Sequence, residues 1–232
     1  MSMRTIQYIF PLFAILLVLT YSCNKEKQPV DFHYDYFGME EGRYIIYDVI
    51  EIIHDDDLNQ HDTLAYQLKC YWADTFVDNE GRIGREYWRY RRDSVTGPWL
   101  LVDVWHGVFD GIRGELVEDN QRIVRMVFAP TISKQWDANA YNTLGEMDCY
   151  YRDIHQDTIV GGVSFDSTVV VEQAYDPPNL IDFDRRYETY ANNIGLIHRH
   201  WRTINTQFDG QGQPYINYGY ELYYDFVETG FE

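Results

Sequence analysis

The chain has 232 residues, and acids outnumber bases to give a formal net charge of −18 at pH 7. Such an acidic chain repels phosphate backbones and anionic headgroups, which excludes nucleic acid as a partner and electrostatic docking on lipid. Its 21 Tyr, 12 Phe and 6 Trp suit strands and a substantial core, whereas 7 Pro and 16 Gly are too few for a disordered chain.

The first element is an apolar run from Tyr8 to Ser22, with Arg4 the only charge before it. A short apolar core behind a basic residue reads as a cleaved secretory signal helix. The run contains Pro11 and falls short of the roughly 20 residues that span a bilayer. Leu19 and Ser22 followed by Cys23 resemble the lipobox of bacterial lipoproteins. The resemblance implies that the Cys23 thiol receives a diacylglyceryl group, that the signal is cut before it, and that the new amine is acylated. Several acyl chains on one residue anchor stably where a single chain does not. Asn24 after the cysteine is compatible with sorting to the outer membrane of a Gram-negative cell. The resulting plan is a signal peptide over 1–22, a lipidated tether over 23–35 and a β-rich domain over 36–232.

Residues 43–53 are strongly β-prone and stop at the charged turn His54-Asp55-Asp56-Asp57. In 63–74, Leu64, Tyr66, Leu68, Cys70 and Trp72 share one face, the period of a strand packed on one side. Strands follow at 84–92, 99–106, 115–118 and 122–128, separated by turns at 78–82, 93–98 and 119–121. From 129 to 144 the alternation breaks into a long loop carrying Trp136, Asp137, Asn139, Tyr141 and Asn142, the expected binding loop. Strands resume at 145–155, 163–172 and 186–201. The last, 217–228, puts Tyr218, Tyr220, Leu222, Tyr224 and Phe226 on one face. This predicts an all-β domain, a single antiparallel meander of about nine or ten strands curled into a half-barrel or sandwich.

With Cys23 lipidated, Cys70 and Cys149 remain as an even pair, either a disulfide or two buried thiols. His198 and His200 share a strand face, a weak metal signal without a third ligand, and Asp55 to Asp57 could suit calcium but lack EF-hand spacing. Asp137, Asp148, Asp166 and Glu188 are nominal acids for glycoside hydrolysis, with nothing in the sequence to pair them. Nucleophile-elbow, zincin and Walker motifs are missing.

Residues 36–42, 136–142, 165–168 and 190–197 together are similar to a group of uncharacterised bacterial envelope lipoproteins. That resemblance implies a β-rich domain, and neither an activity nor a cofactor. The sequence therefore predicts a lipid-anchored envelope domain with a non-enzymatic binding or assembly role. It touches the membrane through Cys23 and takes a protein, small apolar or glycan ligand. A carrier of apolar ligands of half-barrel type and a carboxylate-dependent glycoside hydrolase are the alternatives.

Overall fold

The computed structural model describes residues 30–58, 60–175 and 181–232. The signal segment, Cys23 and the tether up to residue 29 lie outside the described residues. Residues Phe32–Glu232 form one compact unit. A 3-10 turn, Tyr34–Tyr36, precedes the strands β1 (Arg43–Asp55), β2 (Gln60–Val77), β3 (Ile83–Arg92), β4 (Leu100–Phe109), β5 (Arg113–Glu118) and β6 (Gln121–Val127). The second half holds β7 (Gln135–Asp137), β8 (Asp148–Val160), β9 (Val163–Tyr175), β10 (Asp182–Ala191), β11 (Gly195–Phe208) and β12 (Pro214–Phe231).

All twelve belong to one sheet in the order β6-β5-β4-β3-β2-β1-β12-β11-β10-β9-β8-β7, so each half is a meander and β1 pairs with β12 at the join. The all-β antiparallel expectation holds, and the count is corrected upward from nine or ten. One added strand is β7, whose three residues lie inside the expected loop. The other comes from 186–201, which is two strands joined by a tight turn at 192–194 where Asn193 takes φ 59°. A turn that short, with no Pro and a single Gly195 after it, leaves little composition signal.

The sheet curls until its edges meet, the closed alternative to a sandwich. The edge strands β6 and β7 are bridged by Val124 N–H to Ala138 O at 2.8 Å and by Trp136 Nε1–H to Val124 O at 3.0 Å. Tyr151 of β8 completes the seam: its hydroxyl accepts from Val127 N–H (3.2 Å) and donates to Val127 O (2.7 Å). A phenol there does the work of a missing strand residue, because buried edge amides must find partners somewhere.

Leu68, Cys70 and Trp72 of β2 and Leu222, Tyr224 and Phe226 of β12 point into the barrel, as their alternation predicts. A second cluster around Met126, Tyr151, Val169 and Val171 fills the side near the seam. One end is plugged by the segment after Phe32. The Tyr36 hydroxyl lies 2.7 Å from His155 Nδ1 and 2.6 Å from Ser167 Oγ, and the Phe37 ring packs against Trp72 and Phe128. Gly38 turns this segment at φ +66°, and a Cβ there would lie 2.2 Å from Ile194 O, so no other residue fits. The β1–β2 hairpin turns at the other end of β1, away from that plug.

Candidate functional site

The inward side chains of the central strands line a cavity of about 40 Å³. Its walls are aromatic (Tyr47, Trp72, Tyr87, Trp105, Tyr224), yet three guanidiniums, Arg89, Arg125 and Arg199, enter from β3, β6 and β11. The register explains how they get there. Arg89 follows Tyr87 by two residues and Arg199 stands between Ile197 and Trp201, so both occupy the apolar phase of their strands. Arg125 falls beside the bulge where Glu115 pairs with Val124 and Gly114 with Met126.

Glu188 is the hub. Its side chain is fully buried; Oε1 accepts from Arg199 Nε (2.8 Å) and Arg125 Nη1 (3.2 Å), and Oε2 accepts from the Tyr190 hydroxyl (2.6 Å). Burial alone would raise this carboxyl, but the charges of Arg125 and Arg199 and the Tyr190 hydrogen bond outweigh it and lower its pKa from 4.5 to about 2. Arg125 also pairs with Glu118, while Arg89 donates to Asp103 Oδ2 (2.9 Å) and to the Tyr224 hydroxyl (3.1 Å). The Arg89 guanidinium lies 3.7 Å over the Trp105 ring.

Among the described residues, two donors on this wall have no protein acceptor: Trp105 Nε1 and Arg125 Nε, in side chains that are 8% and 6% exposed. A buried N–H without an acceptor costs about 1–3 kcal/mol. Asp103 is partly exposed and its charge is screened by water, so the dry interior carries three guanidiniums against Glu188 and Glu118. The cavity is therefore electropositive and rich in donors.

The aromatic walls fill most of the barrel, and the remaining cavity of about 40 Å³ has room for the headgroup of a ligand and not for a whole drug-sized molecule, whose pockets hold about 300–1,000 Å³. Of the four nominal hydrolase acids, the fold sets only Asp137 and Asp148 opposite one another. Asp137 Oδ1 accepts from Asn139 N–H (2.8 Å) and Met147 N–H (2.9 Å), holding its loop; Asp166 is exposed, and Glu188 is held by its arginines. Asp137 and Asp148 are register partners of β7 and β8, outside the cavity lining.

The expected loop supports the seam. Trp136 bonds to β6 as described, Asn139 Nδ2 donates to Gly145 O (2.6 Å), and Asn142 Nδ2 donates to Arg122 O (2.9 Å). Tyr141 stays half-exposed, its hydroxyl accepting from Arg113 Nη1 at 2.7 Å under a guanidinium 4.2 Å from the ring. Cys70 and Cys149 are free buried thiols, so the disulfide alternative is corrected: they belong to different core clusters, on β2 and β8. Burial pushes the Cys149 thiol up to about 12 and raises Cys70 as well, which keeps both protonated and unreactive.

His198 and His200 share an outer face, as expected, and Tyr187 packs against both, with ring centroids 5.6 and 4.9 Å away. His198 Nδ1 lies 2.8 Å from Asp225 Oδ1. Burial, with help from the charges of His198, Arg185 and Arg202, lowers His200 to about 4. In the acidic turn, Asp55 Oδ1 accepts from Leu58 N–H at 3.0 Å, an ordinary turn bond.

The sequence analysis did not single out Arg89, Arg125, Arg199 or Trp105. Their signal was present for two of them: Tyr87-x-Arg89 and Ile197-x-Arg199-x-Trp201 place a charge where an apolar residue is due.

No protein-family model matches the chain, and no curated protein is significantly similar to it. Solved structures similar to the chain include two crystal structures. One is a candidate exported protein with a YmcC-like fold from Bacteroides fragilis, with 11% identity and a TM-score of 0.43 over 84% of this chain and 98% of that one. The other is a candidate lipoprotein from Parabacteroides distasonis, with 10% identity and a TM-score of 0.39 over 88% of this chain and 100% of that one.

Proposed function

We propose that this chain is a non-enzymatic binding domain of the cell envelope, anchored in the outer membrane by acyl chains on Cys23, that holds the carboxylate of a small ligand in its arginine-lined cavity. The observation that carries the reading is the pair of orphan donors, Trp105 Nε1 and Arg125 Nε, lining one electropositive cavity. A carboxylate is acceptor-only, satisfies both, and offsets the excess positive charge. A binding role rather than catalysis is supported by the state of the nearby groups. Glu188 is ionised and saturated, the Cys70 thiol is pushed up, and neither is available as acid, base or nucleophile near neutral pH.

The test is thermal unfolding of the full chain in rising sodium formate, at constant ionic strength set by a bulky sulfonate. Formate should raise Tm saturably, and Trp105→Phe, which removes the indole N–H and keeps an aromatic ring, should lose most of that rise. An unchanged Tm in the wild type, or an equal rise in the variant, overturns the site. The anchor is checked separately: labelled palmitate should enter the wild type and fail to enter Cys23→Ser.

A further inference from the structure

At the tip of the β1–β2 hairpin, two histidines face each other across the strands. His54 and His61 are register partners, and their Nδ1 atoms lie 3.4 Å apart. Their other ring nitrogens meet carboxylates: His54 Nε2 is 2.9 Å from Glu221 Oε1, and His61 Nε2 is 3.6 Å from Asp56 Oδ1. Glu221 is itself fixed, buried on β12, with Arg202 Nε 3.0 Å from its Oε2 and the Tyr223 hydroxyl donating to the same oxygen. Nearby on the hairpin, Asp62 Oδ2 accepts from Gln60 at 2.7 Å and Asp55 Oδ1 from Leu58 N–H at 3.0 Å, and Asp57 lies in the same turn.

The proton placement follows from the partners. A carboxylate accepts only, so His54 carries its hydrogen on Nε2 and presents a bare Nδ1 lone pair to His61. His61 Nδ1 lies 3.4 Å from that lone pair, a long hydrogen bond when its hydrogen is on Nδ1, while its Nε2 stands 3.6 Å from Asp56 Oδ1, outside hydrogen-bond distance, on a side chain open to water. A cation in place of the shared proton engages both Nδ1 lone pairs at once.

We infer that His54 and His61 form a binding site for a late first-row divalent cation, of the class of Zn²⁺, Ni²⁺ or Cu²⁺. Three features fit. Two imidazoles on a tetrahedral ion at about 2.0–2.1 Å stand about 3.4 Å apart, the spacing that this hairpin already holds without any movement. An Nε2–H held by a carboxylate is the arrangement that orients a ligating histidine and raises its basicity, and His54 has it in Glu221. The His61 side chain is 45% exposed, which leaves the remaining coordination positions open to water or to an acid of the 55–57 turn. Nitrogen ligands select this class of ion over calcium, the ion that the acidic turn alone suggests. The site is remote from the barrel cavity and stands independently of the carboxylate reading.

The experiment is calorimetric titration of ZnCl₂ into the full chain, purified without a histidine tag, beside His61→Gln and His54→Gln. His61 is solvent-facing, so the first variant keeps the fold. Wild type should bind one Zn²⁺ in the micromolar range, and each variant should weaken binding at least tenfold. His198→Gln, on the other histidine pair, should bind as wild type does. Nitrogen-15 NMR of the imidazoles provides the second readout: saturating Zn²⁺ should shift the Nδ1 resonances of His54 and His61 while Nε2 stays protonated. No heat in the wild type, equal heat in His61→Gln, loss in His198→Gln, or a His61 imidazolium at pH 7 that Zn²⁺ does not displace would each overturn the assignment.

Discussion

Replacing Glu188 by Gln tests whether the interior charge network holds the barrel together. The carboxylate is fully buried between Arg125 and Arg199 and accepts a third bond from Tyr190. A glutamine keeps the volume but offers an NH₂ to donors and leaves two guanidiniums short of a counter-charge. Breaking a buried pair from one side costs about 3–5 kcal/mol. The lowered pKa gives a second figure. A carboxyl lowered from 4.5 to about 2 contributes about 3 kcal/mol above pH 4.5, and this is lost as pH falls through that window. The two estimates agree in order of magnitude. Urea unfolding followed by tryptophan fluorescence at several pH values between 7 and 2.5 should therefore show Glu188→Gln about 3–5 kcal/mol less stable at pH 7. The gap should narrow as pH falls from 4.5 toward 2, because the unfolded wild type takes up a proton there that the folded chain does not. Equal midpoints at pH 7, or a gap that stays constant down to pH 2.5, would refute the network as a source of stability.

Tyr151→Phe deletes the one hydroxyl that serves both Val127 N–H and Val127 O at the seam. The expected loss is about 1–3 kcal/mol, about 2–12 °C in Tm, with faster amide exchange confined to β6; slow exchange there would disprove the seam's dependence on this phenol. His200, lowered to about 4, should still be neutral at pH 5.5 by NMR. Between pH 6.5 and 4 the unfolded chain binds a proton that the folded chain refuses, so stability falls as pH drops through that window. A His200 titration midpoint near 6.5 would contradict this.

The strands were legible where one face is apolar, as in Leu68, Cys70 and Trp72 or Leu222, Tyr224 and Phe226, because period two is a local property. β7 was not legible, since its three residues gain their meaning from β8 and from seam bonds to β6, more than ten residues away. The arginine site failed for a related reason. Arg199 reads as an anomaly in its strand, but Glu188 lies on the neighbouring strand and Arg125 on the far edge, 63 residues earlier. Charge in an apolar phase announces that a partner exists and gives no hint of which one. His54 reads in the sequence as the start of an acidic turn; its meeting with His61 at Nδ1 required the hairpin register.

The pairing of β1 with β12 sets a constraint on how the molecule is made. Glu232 N–H bonds to Gly42 O at 2.9 Å, so the two ends of the sheet's chain lie side by side. The last strand to emerge is the one that fills the middle, and until it arrives β1 shows a raw edge bearing Ile45, Ile46, Ile50, Ile52 and Ile53. Such an edge invites pairing with other chains. Removing β12 would not trim this protein; it would strip the sheet of the ladders on both of its sides and leave β1 and β11 as two raw edges.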